Sequence, residues 1–193
     1  VYALTATIDA KDHYTFRHSQ NVAYYATELA KAAGMTPDVV EIVREAGLLH
    51  DIGKISITED ILNKTGKLSS DEYEIMKSHV ENAVNIIRHL PSLDYVIPAV
   101  YSHHERYDGR GYPRRLAGDN IPITGRILCI ADSFDAITSD RTYKKAISVP
   151  EALDMMRAES AGQFDPKLID IFIDLVESGD IELQKETPEP VSV

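Results

Sequence analysis

The chain has 193 residues, of which 44% are hydrophobic and 26% charged, and it carries a formal net charge of −11. Such a length and composition are typical of one globular domain with a substantial core. The acidic balance excludes a protein that coats nucleic acid, which would need a basic surface, but it allows a small phosphorylated substrate held through metal ions.

The hydrophobic periodicity is helical along almost the whole chain, and no stretch alternates convincingly with a period of two residues. The first predicted helix covers "NVAYYATELAKAAG" and ends at Gly34, a residue typical of the position just after a helix. The second covers "TPDVVEIVREAGLLHD", with Thr36 as its N-cap and Pro37 at the first helical position.

Helical periodicity continues towards the end of the chain. A serine cap and an acidic first turn predict one helix over "SSDEYEIMKSHVENAVNIIRHL", which Pro91 ends. The stretches "LDYVIPAVYSHHE" and "ITGRILCIADSFDAITSD" predict two more helices, and Pro150 and "DPKLIDIFIDLVESG" begin the last two. The single cysteine, Cys129, excludes a disulfide framework and is expected to be a buried small hydrophobe. The predicted fold is all-α, a single multi-helix bundle of about seven helices.

Residues 106–122 form the longest irregular segment, and a loop of that length is usually functional or disordered. We expect one domain over residues 1–185, followed by a polar, proline-containing tail at 186–193 that is disordered. No apolar run is long enough to span a membrane and no signal peptide is visible, so we expect a cytoplasmic location. The first residue is not Met, and we expect the chain to be the C-terminal part of a longer sensor protein.

Five of the seven histidines and two aspartates recur near the ends of the apolar stripes, about one helix and one turn apart. They are His18, His50, Asp51, His79, His103, His104 and Asp132. Burying so many polar side chains costs several kcal/mol unless they find partners. Helix bundles often build metal sites from side chains on facing helices, so the pattern predicts a metal site. His13 and His89 lie outside it and are interpreted as satisfied core residues.

The adjacent pairs suggest two ions rather than one. Neighbouring residues on a helix point about 100° apart, so either the helix ends at His103 and His104 or each histidine reaches a different ion. A carboxylate such as Asp51 could then bridge two metals. Two ions about 3.5–4 Å apart can activate a bridging water and clamp a phosphodiester. Mixed imidazole and carboxylate ligation suits iron, manganese, nickel or zinc.

Three motifs carry a family resemblance: "HDIGK" at 50–54, "HHERYDGRGYP" at 103–113 and "ADSFDAITSDRTYKKAIS" at 131–148. Together they resemble an HD-GYP domain, a branch of the HD phosphohydrolase superfamily, over about residues 14–172. The resemblance implies a helical bundle of the HD-domain type. It also implies a phosphodiesterase that hydrolyses the bacterial messenger cyclic di-GMP to linear pGpG and, in many members, on to GMP.

When the family's site residues are carried over by position, the resemblance implies that the same seven residues are ligands of two divalent ions. Iron or manganese is the expected metal, and nickel or zinc is the second choice. Asp51 matches the bridging carboxylate, and Lys54 matches a lysine that contacts the scissile phosphate and helps the leaving group. Tyr112, Arg141 and Lys144 match positions that contact the nucleotide or its phosphates. From the residues alone, the last two could equally be an ordinary solvated helix end.

Three positions depart from the family pattern. Tyr14 stands where some members have a glutamate that binds a third metal, so a third metal is not expected. Arg17 and Val80 replace the usual glycine and proline without removing a ligand. Arg17 could crowd the mouth of the site or add a phosphate contact.

Two other functions compete with cyclic di-GMP hydrolysis. The same chemistry could act on another nucleotide such as cyclic GMP–AMP, because metals recognise phosphate and not base. A catalytically silent module could bind a cyclic dinucleotide or a diguanylate cyclase domain through the Gly111-Tyr112-Pro113 loop, but the usual sign is lost ligands and none is lost here. A sensor or receiver domain N-terminal to the chain is a further expected partner.

Overall fold

The computed structural model describes residues 15–140 and 145–183, and these two ranges contain helices but no β-strand. The α-helices are α1 Thr15–Ala32, α2 Pro37–Leu49, α3 Glu59–Leu62, α4 Ser70–Lys77, α5 His79–Ile87, α6 Ile97–Ser102, α7 Ile123–Thr138, α8 Val149–Ala158 and α9 Pro166–Glu177. Short 3₁₀ helices cover Ile52–Ser56, Pro91–Val96 and Gly118–Asn120. The predicted all-α bundle is confirmed.

The turn between α1 and α2 forms as its glycine and proline predict. Gly34 has a positive φ of 73°, which a residue without a side chain adopts at little cost. The backbone N–H of Met35 donates to the carbonyl of Ala30 at 3.0 Å and satisfies one of the last carbonyls of α1. Thr36 has extended backbone angles and Pro37 begins α2, so this helix starts where the sequence indicates.

The single helix expected between residues 69 and 90 is divided in two at Ser78. Its start is correct, because Ser69 and Glu72 form a reciprocal capping box. At Ser78 the hydroxyl donates to the carbonyl of Ile75 at 2.6 Å, an alternative to regular helical bonding. The chain then restarts as α5 with His79 as its first residue. Expecting one continuous helix here was wrong, and the division places His79 at a helix end.

The core lies where α1 packs against α2 and α7. The rings of Tyr25, Phe134 and Phe172 meet edge to face there, with centroids 5.0 to 6.4 Å apart. Cys129 is buried as predicted, and burial raises the pKa of its thiol to about 12, which keeps it protonated and unreactive. His89 is exposed instead, so its interpretation as a core residue was wrong; its Nδ1 bonds the carbonyl of Asn85 four residues earlier.

In the described ranges, no helix combines the length and the apolar character that crossing a bilayer requires. The expected tail at 186–193 and the start of the predicted domain lie outside the described residues. The domain bounds and the cytoplasmic location therefore stay predictions.

The segment after α2 packs directly on α5 through Gly53. A Cβ added at Gly53 would overlap the carbonyl oxygen of His79 and the backbone nitrogen of Ala83. We expect Gly53→Ala to lower the free energy of unfolding by about 1–3 kcal/mol, because backbone atoms cannot move aside as a side-chain tip can. Urea denaturation measures the difference. Gly66→Ala is the matched control, because no atom lies within 4 Å of its added Cβ; equal losses in both variants would contradict the expectation.

Candidate metal centre

The seven residues of the predicted metal site come together in one cluster from five parts of the chain. His18 lies in α1 and Asp132 in α7, whereas the other five stand at or beside helix ends: His50 and Asp51 after α2, His79 at the start of α5, and His103 and His104 after α6. The helix does end at His103 and His104. Of the two explanations for adjacent histidines, a helix end or two different ions, the structure therefore shows the helix end.

Three overlapping groups within the cluster could each hold a metal ion. The first group is His18, His50 and Asp132, the second is His79, His103 and His104, and the third is His50, Asp51 and His103. Within each group, one ligand atom of every residue lies within 4.8 Å of the others. We name the first two the His18 group and the His79 group; the third group lies between them and shares a residue with each.

Asp51 faces both groups with different oxygens. Its Oδ2 lies 3.7 Å from Nε2 of His18 and 3.5 Å from Nε2 of His50. Its Oδ1 lies 3.5 Å from Nε2 of His79. One oxygen on each side is the geometry that a carboxylate needs to bridge two ions.

Four of the histidines present Nε2 to the interior of the cluster because Nδ1 is bonded elsewhere. The Nδ1 partners are Asp135 for His18 and the backbone carbonyls of Gly47 for His50, Met76 for His79 and Val100 for His103, all at 2.7 or 2.8 Å. A carbonyl only accepts, so in His50, His79 and His103 Nδ1 carries the proton and Nε2 keeps a lone pair, which is the form that binds metals.

The Nε2 atoms of His50, His79 and His103 are buried and have no hydrogen-bond partner in the described part of the chain. An unsatisfied buried polar atom costs about 1–3 kcal/mol, and three in one place need an explanation. Divalent ions would satisfy all three, so the donor set fits the metals that the sequence predicts.

At Asp51, Asp132 and His104 the electrostatics set the protonation states that metal ligands need. Burial opposes ionisation of Asp51, yet Lys54 and the nearby histidines hold its pKa well below the usual range. Burial likewise opposes ionisation of Asp132, and its bond with His18 outweighs this and lowers its pKa. Burial lowers the pKa of His104 to about 3, so this imidazole is neutral at physiological pH. Deprotonated carboxylates and neutral imidazoles are the binding forms.

Asp135 is a residue of the site that the sequence analysis missed. It is buried, and its two oxygens accept from Nδ1 of His18 and Nδ2 of Asn21, both at 2.7 Å. Burial disfavours the imidazolium of His18, but Asp132 and Asp135 outweigh it and raise its pKa to about 9. The available signal was spacing, because Asp135 follows Asp132 by three residues in the same helix and so lies on the same face.

Glu105 is the second residue missed. It follows the paired histidines, is buried, and accepts from the backbone N–H groups of Arg114 at 2.7 Å and Leu116 at 3.0 Å. Gly111 packs so closely that a Cβ there would overlap the backbone of Glu105 and Arg106. The segment at 106–122 is therefore a loop fastened to the metal-facing segment, and its irregularity is not disorder.

Two of the predicted substrate residues lie at the cluster. Nζ of Lys54 lies 2.6 Å from Oδ2 of Asp51. The ring of Tyr112 stacks on His104, with centroids 4.8 Å apart. Arg141, Lys144 and Tyr14 lie outside the described residues. Of the other two departures from the family pattern, Val80 is buried in the core and Arg17 is partly buried in α1.

A cavity of about 300 Å³ opens beside the His79 group. His103, His104, Asp132 and Tyr112 line one part of it, and Tyr73, Arg110 and Gln163 line another. A space of this size next to metal-facing residues can admit part of a nucleotide.

A helical bundle that gathers five histidines and two aspartates into one largely buried cluster has the fold and site of an HD-type domain. The chain belongs to the HD domain family, whose sequence profile matches residues 3–168. The family predicted from the three motifs is confirmed.

Curated relatives extend the comparison. The chain is 39% identical over 178 residues to 3′3′-cGAMP-specific phosphodiesterase 2 of Vibrio cholerae, covering 90% of the chain and 34% of that protein. It is 36% identical over 167 residues to a cyclic di-GMP phosphodiesterase of Thermotoga maritima, covering 86% of the chain and 45% of that protein. The chain thus spans less than half the length of either relative.

A solved structure supports the fold. The crystal structure of a cyclic GMP–AMP specific phosphodiesterase of V. cholerae superposes with a TM-score of 0.70 at 21% identity. The match covers 92% of this chain and 48% of that one.

We expect the purified protein to bind two equivalents of divalent metal, and His79→Ala to bind fewer by weakening the His79 group alone. Elemental analysis and calorimetric titration with Mn²⁺ measure the stoichiometry. His89→Ala is the matched control, because this exposed histidine lies outside the cluster. Two full-affinity equivalents in His79→Ala would contradict the assignment.

The pairing of His18 with Asp132 and with Asp135 predicts a pH dependence of the metal-free protein. Because the pKa of His18 is raised to about 9 in the fold, its stabilisation is complete below its ordinary value near 6.5 and is lost as pH rises through 9. The loss is on the order of 3 kcal/mol. Urea denaturation between pH 6 and 10 should show it, and Asp135→Asn should reduce it. An unchanged pH dependence in Asp135→Asn would contradict the contribution of Asp135 to the raised pKa of His18.

Proposed function

We propose that the domain is a dinuclear-metal phosphodiesterase that hydrolyses cyclic di-GMP to linear pGpG and on to GMP. The observation that carries the proposal is the placement of Asp51, with one oxygen towards the His18 group and the other towards the His79 group. The orphaned Nε2 atoms on both sides support it. The names of the two curated relatives support a cyclic dinucleotide as the substrate class.

The ligands would divide between two divalent ions. His18, His50 and Asp132 would hold one ion, His79, His103 and His104 the other, and Asp51 both. Iron or manganese is the first choice and nickel or zinc the second, because all seven donors are nitrogen or carboxylate oxygen and none is a thiolate. No third ion is proposed, since Tyr14 replaces the glutamate that would hold it. Bound ions of this kind lower the pKa of water and neutralise a phosphodiester.

The chain's own residues would position the phosphate and neutralise its charge. Nζ of Lys54 lies at the edge of the cluster, where it can donate to a phosphate oxygen and to the leaving oxygen. Tyr112 covers His104 and would hold one side of the nucleotide. Arg141 and Lys144 lie outside the described residues. We propose them as further phosphate or nucleotide contacts because the motif places them there.

Cyclic GMP–AMP is the second candidate substrate. The relative from V. cholerae that is 39% identical is named for that substrate. Both molecules offer the same phosphodiester to the metals, so the choice between them depends on the bases. A parallel assay of the two substrates with one enzyme preparation distinguishes them through kcat/KM.

A silent binding module is disfavoured because the structure brings all seven metal-facing residues together. The motif also supports contact with diguanylate cyclase domains through the Gly111-Tyr112-Pro113 loop, and a fused sensor or receiver domain. The exposed side chain of Arg114 beside that loop could reach an acidic partner.

We expect Asp51→Asn to abolish hydrolysis of cyclic di-GMP while the bundle stays folded, because a neutral amide cannot bridge two cations as a carboxylate does. Product analysis by chromatography and circular dichroism measure the two properties. His89→Ala should keep full activity. Full activity of Asp51→Asn would refute the bridge.

Lys54→Ala separates a phosphate contact from a structural role. We expect turnover to fall on the order of 10²–10³-fold, because a donor to the reacting phosphate is lost. Both metal equivalents should be retained, because the bound ions can themselves replace Lys54 in keeping Asp51 ionised. Metal analysis and kcat on the same sample measure this. Loss of metal would mean that Lys54 supports Asp51 and does not contact the phosphate.

A further inference from the structure

The cavity beside the His79 group has two arginines in its wall, and they are engaged differently. Arg106 donates to both oxygens of Asp108, at 3.1 and 2.8 Å, and to Glu159 at 3.2 Å. It also reaches the side chain of Gln163 at 3.5 Å. The guanidinium of Arg106 therefore holds the start of the loop against the segment that follows α8.

The guanidinium of Arg110 has no comparable hydrogen bonds within the described residues. It lines the same cavity as His103, His104 and Asp132, and its side chain is exposed. Across residues 15–140 and 145–183, its guanidinium makes no hydrogen bond and no close ion pair. The neighbouring acid, Asp108, feels its charge only at longer range, and both oxygens of that carboxylate are already engaged by Arg106.

The backbone holds Arg110 in place. Its N–H donates to Oδ1 of Asp108 at 3.0 Å. Gly109 on one side has a φ of 79°, and Gly111 on the other is packed against the backbone of Arg106 without room for a Cβ. A fixed attachment point beside the cluster lowers the entropic cost of presenting a guanidinium to a ligand.

The proposed substrate needs such a group. A cyclic dinucleotide contains two phosphodiesters, and the two ions can clamp only the one being cleaved. The second phosphodiester keeps its negative charge while it enters a chain of net charge −11. An arginine matches a phosphate because its planar fork donates to two oxygens at once.

We infer that Arg110 binds the second, uncleaved phosphodiester of the cyclic dinucleotide and so selects two-phosphate substrates over one-phosphate substrates. The inference rests on the proposed function. It makes Arg110 a determinant of substrate class, because the metal centre alone would accept any accessible phosphodiester.

The test compares cyclic di-GMP with GpG, which has the same two bases and one phosphodiester fewer. In Arg110→Ala we expect KM for cyclic di-GMP to rise about tenfold or more with kcat little changed, the loss of one charged hydrogen-bonding contact. Hydrolysis of GpG should be unchanged, and Arg110→Lys should recover part of the affinity because it keeps the charge. Arg115→Ala is the matched control, an exposed arginine of the same loop outside the cavity wall.

Two results would overturn the inference while leaving the proposed function intact. One is an unchanged KM for cyclic di-GMP in Arg110→Ala. The other is an equal loss on cyclic di-GMP and GpG, which would place Arg110 at the scissile phosphate or at a base.

Failure of the proposed function gives a different result: the metal-loaded wild type would hydrolyse neither substrate. Calorimetric titration of cyclic di-GMP and GpG into wild type and Arg110→Ala then decides the inference alone. Weaker binding of only cyclic di-GMP by the variant supports the second-phosphate contact, and equal or absent binding refutes it.

Discussion

The site depends on a single carboxylate, Asp51, held ionised in the interior. Burial alone would neutralise an acid in that position, and then Asp132 would be the remaining metal-facing carboxylate, on the side of the His18 group only. Lys54 and three histidines keep it charged, and in return its negative charge compensates them. The helices form a frame that brings imidazoles to both sides of the Asp51 carboxylate.

The frame uses helix ends as orienting devices. The last carbonyls of a helix have no partner within it. Here three such carbonyls, of Gly47 in α2, Met76 in α4 and Val100 in α6, accept the Nδ1 proton of the histidine three residues later. Each bond fixes the tautomer and the direction of a ring. Helix ends therefore orient three of the metal-facing histidines, whereas His18 and Asp132 project from within the long helices α1 and α7.

The cluster of seven residues could be predicted from the sequence because histidines are rare and their spacing matched the helices. The supporting acids could not, since Asp135 and Glu105 act through hydrogen bonds to a ring and to backbone N–H groups, and an acid with that role resembles any other acid in the sequence. The break at Ser78 was also hidden. Met76, Ala83 and Ile87 keep helical spacing across it, so periodicity does not register the change from α4 to α5.

Glu105 connects the 106–122 loop to the metal centre through a covalent bond and two hydrogen bonds. It is joined by a single peptide bond to His104, and it receives two backbone N–H groups from the far side of the loop. Any molecule that pulls Arg114 and Leu116 away from the bundle must break those bonds or drag the paired histidines with them. A displacement of the far side of the loop would therefore reach the histidine cluster over a path of only a few residues.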